Sequence, residues 1–338
     1  MKHITFILNP ISGTANKAGI PELIDRKLDK TKYTYTLEKT EYAGHGTELA
    51  HQAAERGDDI VVAIGGDGTV NEVGRGVVHT KTAMAVMPCG SGNGLARHLM
   101  IPMNLEKVMD IINVGEVHAL DYGTINDMPF FCTCGMGFDA FISMRFAEAG
   151  KRGVATYVQK VLEEGLKYKP ETYEIIDENG SQHYKAFLVS IANASQYGNN
   201  AFIAPQASMS DGLLDIIIMK PFDVLEAPQV AIELFNKTLD KNIKIKTFKA
   251  EKILIHRSQP GLIHFDGDPK MTKADVEVAV QKQGINLVVN PYANRAARQP
   301  NAVQTAFSEI FYDIDRLRMD IASQGKRFQQ LIKKNLPI

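Results

Sequence analysis

Short apolar runs alternate with amphipathic stretches through the first third of the chain. Ile4–Leu8, Tyr33–Glu38, Ile60–Ile64 and Ala83–Met87 read as strands, whereas Lys17–Asp29, Gly46–Arg56 and the segment after Thr69 carry helical spacing. Strand and helix in turn predict an α/β domain with a mainly parallel sheet. The run Ile60–Ile64 is apolar at every position, as in a strand covered on both faces.

Beyond about residue 125 the pattern changes. Met128–Cys134, Thr172–Asp177, His183–Ala192, Leu213–Met219, Lys252–His256, Val276–Val280 and Ile285–Val289 read as closely spaced strands, with turns such as Glu178-Asn179-Gly180 between them. That texture predicts an antiparallel sandwich, interrupted by helical stretches at Asp139–Lys167 and Asp223–Asn236. The expected organisation is an α/β domain over residues 1–125, a β-sandwich domain over 126–290 whose last strand can return to the first domain, and a helical tail over 291–338. In the tail Phe307, Ile314, Ile321 and Phe328 recur every seven residues, with Ile310, Leu317 and Leu331 between them. It reads as a helix packed on its own chain or as a homodimer contact through residues 304–332.

Bulk properties narrow the function without naming it. The 338 residues suit about two domains, and 44% hydrophobic with 23% charged residues is ordinary for a soluble globular protein. A net charge of −1 argues against a general nucleic-acid binder. Cys89, Cys132 and Cys134 are too few for a disulfide framework and read as reduced thiols. Met1-Lys2-His3 leads straight into a strand, so no signal peptide is expected, and no apolar stretch reaches the roughly 18 residues of a spanning helix. The expectation is a cytoplasmic protein whose only membrane contact is peripheral, on the inner face.

Candidate chemistry gathers at the carboxyl ends of the first strands, where open α/β sheets bind ligands. The chief feature is Gly65-Gly66-Asp67-Gly68-Thr69-Val70-Asn71-Glu72. Its glycines allow a sharp turn and close approach, and successive N–H groups at a strand-to-helix turn form an anion site. Asp67 would repel a bare phosphate and suits a Mg²⁺-phosphate or a hydroxyl nucleophile better. Asn9-Pro10-Ile11-Ser12-Gly13, Thr40 and Gly90-Ser91-Gly92-Asn93 occupy neighbouring strand ends. No G-x-x-x-x-G-K-[ST] loop, G-x-G-x-x-G after the first strand, His-Glu-x-x-His or protein-kinase motif set is present.

These turns, taken in order, resemble the catalytic domain of the diacylglycerol kinase family, which includes bacterial YegS-like and DgkB-like lipid kinases and the sphingosine and ceramide kinases. Further matching segments are Pro88 to Arg97, Leu120-Asp121-Tyr122-Gly123, Gly135-x-Gly137-Phe138-Asp139-Ala140, Tyr197-Gly198, Ala204 to Asp215 and Asp266-Gly267-Asp268. The resemblance covers about residues 2–290. It implies transfer of the γ-phosphate of ATP to a hydroxyl of a diacylglycerol-like or related lipid at a membrane surface, in phospholipid metabolism. ATP would be held by Asn9, Pro10, Ile11, Ser12, Gly13, Thr40, Gly65, Gly66, Asp67, Gly68, Thr69, Val70, Asn71, Ser91 and Asn93. A supporting Mg²⁺ would lie at Asp211, with Ser208 and the backbone of Leu213, and a second Mg²⁺ would arrive with ATP. The proton acceptor would be Asp268, where the family usually has glutamate. Asp67 matches the base favoured in sphingosine kinases, and Asp266 is a third candidate. Apolar positions such as Phe141, Ile142 and Met144 could line an acyl-chain cleft. Two other readings are an NAD kinase, which shares the Gly-Gly-Asp-Gly-Thr loop, and a nucleotide-binding regulator that has lost catalysis.

Overall fold

A computed structural model describes residues 1–12, 17–149, 165, 168–223 and 226–293. The heptad tail, Gly13 and most of the expected helix through Lys167 lie outside the described residues.

The first part builds as its periodicity predicts. β1 (Lys2–Leu8), β2 (Tyr33–Lys39), β3 (Ile60–Gly65) and β4 (Ala83–Pro88) pair in parallel in the order β2-β1-β3-β4. Every residue of β3 and β4 is buried, because helices cover both faces. Those helices are α1 (Ile20–Lys27), α2 (His45–Arg56), α3 (Asp67–Val77) and α5 (Leu105–Val114), with α4 (Gly94–His98) a short turn between them. α5 begins at Asn104, whose side chain accepts from the Glu106 and Lys107 amides, and ends at left-handed Gly115.

The second part is a sandwich that shares a sheet with the first. β5 (Val117–Ile125), β6 (Met128–Phe130), β8 (Glu171–Asp177), β9 (Gly180–Ala186), β13 (Lys252–Arg257) and β16 (Asp275–Val288) extend the sheet of β1–β4. β16 is the join: its Leu287 pairs in parallel with Met84 of β4, its residues Asp275 to Ala279 pair antiparallel with β13, and Val278 to Val288 pair antiparallel with β5. The facing sheet is antiparallel, in the order β12 (Ile245–Ala250), β11 (Leu214–Met219), β10 (Leu188–Ala192), β7 (Thr133–Gly137), β14 (Gly261–Phe265), β15 (Asp268–Thr272). Tyr173, Ile175, Ile255 and Val278 of one sheet meet Met136, Ile191, Ile216 and Ile263 of the other in a single core. α6 (Phe138–Ala149) and α7 (Ala227–Asn236) flank a third cluster around Phe138, Phe187 and Ile217.

Two runs that read as single strands are divided. His183–Ala192 breaks at Phe187, whose N–H donates to the Met219 carbonyl and whose carbonyl accepts from Phe138 N–H, so the chain leaves one sheet at β9 and enters the other at β10. Met128–Cys134 breaks at Phe131 and Cys132, which bond to an acid in the candidate site instead of a strand. Conversely, Val276–Val280 and Ile285–Val289 merge into β16, across an irregularity between Gln281 and Ile285.

α2 and α3 pack closely because Gly76 has no side chain. A Cβ there would stand 2.5 Å from the Thr47 carbonyl oxygen and 2.6 Å from the Ala50 Cβ. Gly76→Val is therefore expected to cost about 1–3 kcal/mol in a urea titration. Gly68→Ala, whose Cβ meets nothing within 4 Å, should be neutral or stabilising by up to about 1 kcal/mol. Equal midpoints for the two variants would contradict this packing account.

Candidate active site

Three loops meet at the ends of β1, β3 and β4. Asn9 N–H donates to the Ile64 carbonyl, and Cys89 N–H to that of Gly65. The Asn9 side chain accepts from Ile11 and Ser12 N–H at 3.1 and 3.2 Å and donates to Thr69 Oγ1 at 3.1 Å, tying the first loop to the second. Gly65 and Gly90 allow the close approach: a Cβ on Gly65 would lie 2.3 Å from Thr69 Oγ1, and one on Gly90 2.5 Å from Gly66 Cα. α3 starts at Asp67, so the unpaired N–H groups of its first turn open among these loops.

The candidate nucleotide residues take different stations. Pro10, Ile11 and Ser91 are exposed, and the Val70 side chain is in the core, leaving only its backbone to face a ligand. Thr40 is buried, and its N–H bonds to the Leu8 carbonyl. Asn93 closes its own turn at positive φ, exchanging hydrogen bonds with Gly90 N–H (2.9 Å) and Gly90 O (2.7 Å). Lys17 was not singled out by the motifs. Its ammonium donates to the carbonyls of Asn9 and Ser12 and, at 2.8 Å, to Ser12 Oγ, which brings a buried positive charge into the first loop. No spacing rule places it there; the contact is made by folding.

The three aspartates considered as bases are placed very differently. Asp67 caps α4: Oδ2 accepts from Asn93 N–H at 2.9 Å and Oδ1 from Gly94 N–H at 2.6 Å. Burial pushes its carboxyl up, and these two amides oppose the shift. Asp266 is more heavily engaged. It accepts from Phe131, Cys132 and Thr133 N–H at 2.8, 2.8 and 3.1 Å and from Asn71 Nδ2 at 2.9 Å. Its backbone is held at φ 48°, in the left-handed region. Asn71 also donates to the Pro129 carbonyl and is buried, so its side chain links α3 to the sandwich.

Asp268 is the carboxylate left open. It begins β15, keeps solvent access and makes no hydrogen bond to the described residues through its carboxyl. The surrounding protein, followed by the charges of Asp266 and Glu72, raises its carboxyl to about 6, against the opposing pull of Arg75 and His264. Glu72 is itself fixed, accepting from Gly44 and Gly46 N–H at 2.8 and 3.0 Å, and so carries the Thr40 loop against α3. Next to Asp268 in the β14–β15 hairpin, where His264 pairs with Pro269, His264 Nε2 lies 3.0 Å from Asp139 Oδ2, and that oxygen accepts from the Tyr197 hydroxyl at 2.8 Å.

The expected Mg²⁺ ligands Ser208 and Asp211 already have partners within the protein. Ser208 Oγ pairs with Ser210, and Asp211 Oδ1 accepts from Leu213 N–H at 3.1 Å. Asp211 Oδ2 lies 2.7 Å from the Lys249 ammonium, which also reaches Asp215 at 2.9 Å. A hard dication needs several free oxygen ligands, and here a lysine holds the carboxylates. Among the described residues no group of three or more His, Cys, Asp or Glu is arranged to hold a metal. These side chains do not fit a resident divalent ion at Asp211.

The comparisons with known proteins agree with this two-part build. A diacylglycerol kinase catalytic domain matches residues 3–125, and a YegS C-terminal NAD kinase beta sandwich-like domain matches residues 132–289. A protein of Chromohalobacter salexigens named "Probable lipid kinase YegS-like" is 32% identical over 228 residues, covering 65% of this chain and 73% of its own. A diacylglycerol kinase of Bacillus subtilis is 27% identical over 274 residues, covering 79% and 90%. The fold is shared with the crystal structure of a diacylglycerol kinase from Bacillus anthracis, with TM-score 0.68, 20% identity and coverage of 86% and 97%. The class defined by these domains is that of the two-domain lipid kinases. The chain belongs to the diacylglycerol kinase catalytic-domain family, with the YegS-type sandwich as its second domain.

The four hydrogen bonds on Asp266 make it a structural anchor. Asp266→Asn would turn an NH₂ toward N–H groups that now meet an oxygen, and is expected to lower stability by about 2–4 kcal/mol in urea unfolding. A loss below about 0.5 kcal/mol would contradict the anchor role.

Proposed function

We propose that the protein is an ATP-dependent lipid kinase that transfers the γ-phosphate to a hydroxyl of a diacylglycerol-like lipid. The observation that carries this reading is the bond from Asn71 to Asp266, 195 positions apart in the chain. It ties the helix that opens the glycine loop to the hairpin that bears Asp268. An anion-holding loop and a free carboxylate of raised proton affinity are thereby mounted on one rigid unit. Phosphoryl transfer asks for that: charge neutralisation and positioning, plus an acceptor for the hydroxyl proton.

In this reading MgATP is the phosphoryl donor. The N–H groups of Gly66 to Thr69 would cradle its phosphates, with the Lys17 charge held beside them in the Ser12 loop and the Thr40 loop alongside. The lipid oxygen attacks the γ-phosphorus, its proton passes to Asp268, and the bond from the γ-phosphorus to the bridging oxygen breaks, releasing ADP. Asp67 and Asp266, whose oxygens are occupied by amides, act as positioning residues. Phe141 and Ile142 pack at the edge of the third apolar cluster, where an acyl chain would find apolar surface. No helix among the described residues is long and apolar enough to cross a membrane.

The test offers purified protein MgATP with micellar diacylglycerol, monoacylglycerol, phosphatidylglycerol, ceramide and sphingoid bases, and reads products by mass spectrometry. Phosphorylation of at least one supports the reading, and none across the panel would sink it. A base of pKa about 6 works only when deprotonated, so kcat/KM should fall as pH drops through about 6. Asp268→Asn should remove that limb and lower kcat by about 10²-fold or more, with little change in ATP affinity. Asp67→Asn should instead weaken ATP binding as well as kcat, because it loosens the Asn93–Gly94 turn. Full activity of Asp268→Asn would reject it as the proton acceptor.

A further inference from the structure

The site where a divalent ion was expected holds a cation of the protein's own. Lys249 lies directly opposite Asp215 in the antiparallel ladder of β11 and β12, so the two side chains share one face of the sheet. From there the ammonium spans Asp215 at 2.9 Å and Asp211 at 2.7 Å, closing the Asp211-Gly212 turn back onto the strand that follows it. The turn is pinned from its other side too. Gly212 N–H donates to the buried Asp121 carboxylate at 2.8 Å, and the second oxygen of Asp121 accepts from Gln283 N–H at 2.7 Å. The Lys282 stem lies over Gly212, its Cε 3.0 Å from where a Cβ would stand, and its ammonium pairs with Glu251.

We infer that the Lys249 ammonium replaces a structural divalent cation at this turn, so that the protein takes no metal here and needs Mg²⁺ only with its nucleotide. The physical reason is competition for the same oxygens. A Mg²⁺ ion on Asp211 would sit about 2 Å from an oxygen already bonded to the ammonium, placing three positive charges against two carboxylates. The strand register holds the Lys249 Cα across from Asp215, so its ammonium stays within reach of this pair. Removing the ammonium leaves two carboxylates around one space, an arrangement that attracts a dication.

The test uses Mn²⁺, which takes the same oxygen ligands as Mg²⁺ and is counted by the electron paramagnetic resonance of the free ion. It is titrated into nucleotide-free, full-length protein, so the result stands whether or not phosphotransfer is ever found. The wild type should show no saturable binding below about 1 mM that depends on Asp211, so wild type and Asp211→Asn should titrate alike. Lys249→Ala, or Lys249→Gln if the first does not fold, should gain one Mn²⁺ bound at least about 10-fold tighter than to the wild type, a difference of about 1.4 kcal/mol. Adding Asp211→Asn to that variant should abolish the gain. Wild-type binding that Asp211→Asn removes would overturn the inference, as would a Lys249 variant that gains no ion.

Discussion

The architecture depends on one hydrogen-bonded carboxylate, that of Asp266. Asp266 draws together the amides of Phe131, Cys132 and Thr133 and the side chain of Asn71. Asn71 stands on α3 and the three amides run from the gap after β6 to the first residue of β7, while Asp266 itself lies in the hairpin between β14 and β15. Without it the break in the run Met128–Cys134 would leave three N–H groups without their acceptor, a cost of about 1–3 kcal/mol for each one buried. With it, the glycine loop and the hairpin become a single body. Burial pushes the Asp266 carboxyl up, and the four donors oppose that shift.

The acids of the site therefore divide by how many donors each already has. Asp67 has two amides, Asp266 has four partners, and Asp268 keeps its oxygens open with its carboxyl raised to about 6. Three acids in two motifs look alike in composition, yet their surroundings hold two of them in hydrogen bonds and leave one open. The same logic applies at Asp211 and Asp215, whose charge is already met by Lys249. Positive charge is supplied by the fold at the turn and, in the proposed reaction, by Lys17 and MgATP at the phosphates.

Much of this was legible in the sequence where periodicity and turn chemistry act locally. The strands Ile60–Ile64 and Ala83–Met87 announce themselves by unbroken apolar runs, Ile4–Leu8 by a run that only Thr5 interrupts, and the glycine turns mark where β3 and β4 end. α5 carries local signals too, with Asn104 at its start and Gly115 at its end. What could not be read depends on contacts far apart in the chain. Phe187 divides a run because it turns a corner between sheets, and Lys17 enters the first loop through tertiary contacts. Lys249 lies 38 residues from Asp211, and only the register of β11 on β12 brings them together.

The central claim is geometric: the phosphate-holding loops and Asp268 address one reacting centre. A crystal structure with a non-hydrolysable ATP analogue and a short-chain diacylglycerol tests it most directly. The account predicts phosphates on the Gly66–Thr69 backbone and the Ser12 loop, with a lipid hydroxyl between the γ-phosphorus and Asp268. That hydroxyl should lie about 3–3.5 Å from the phosphorus. An analogue bound elsewhere, or a γ-phosphate turned away from the β14–β15 hairpin, would contradict it.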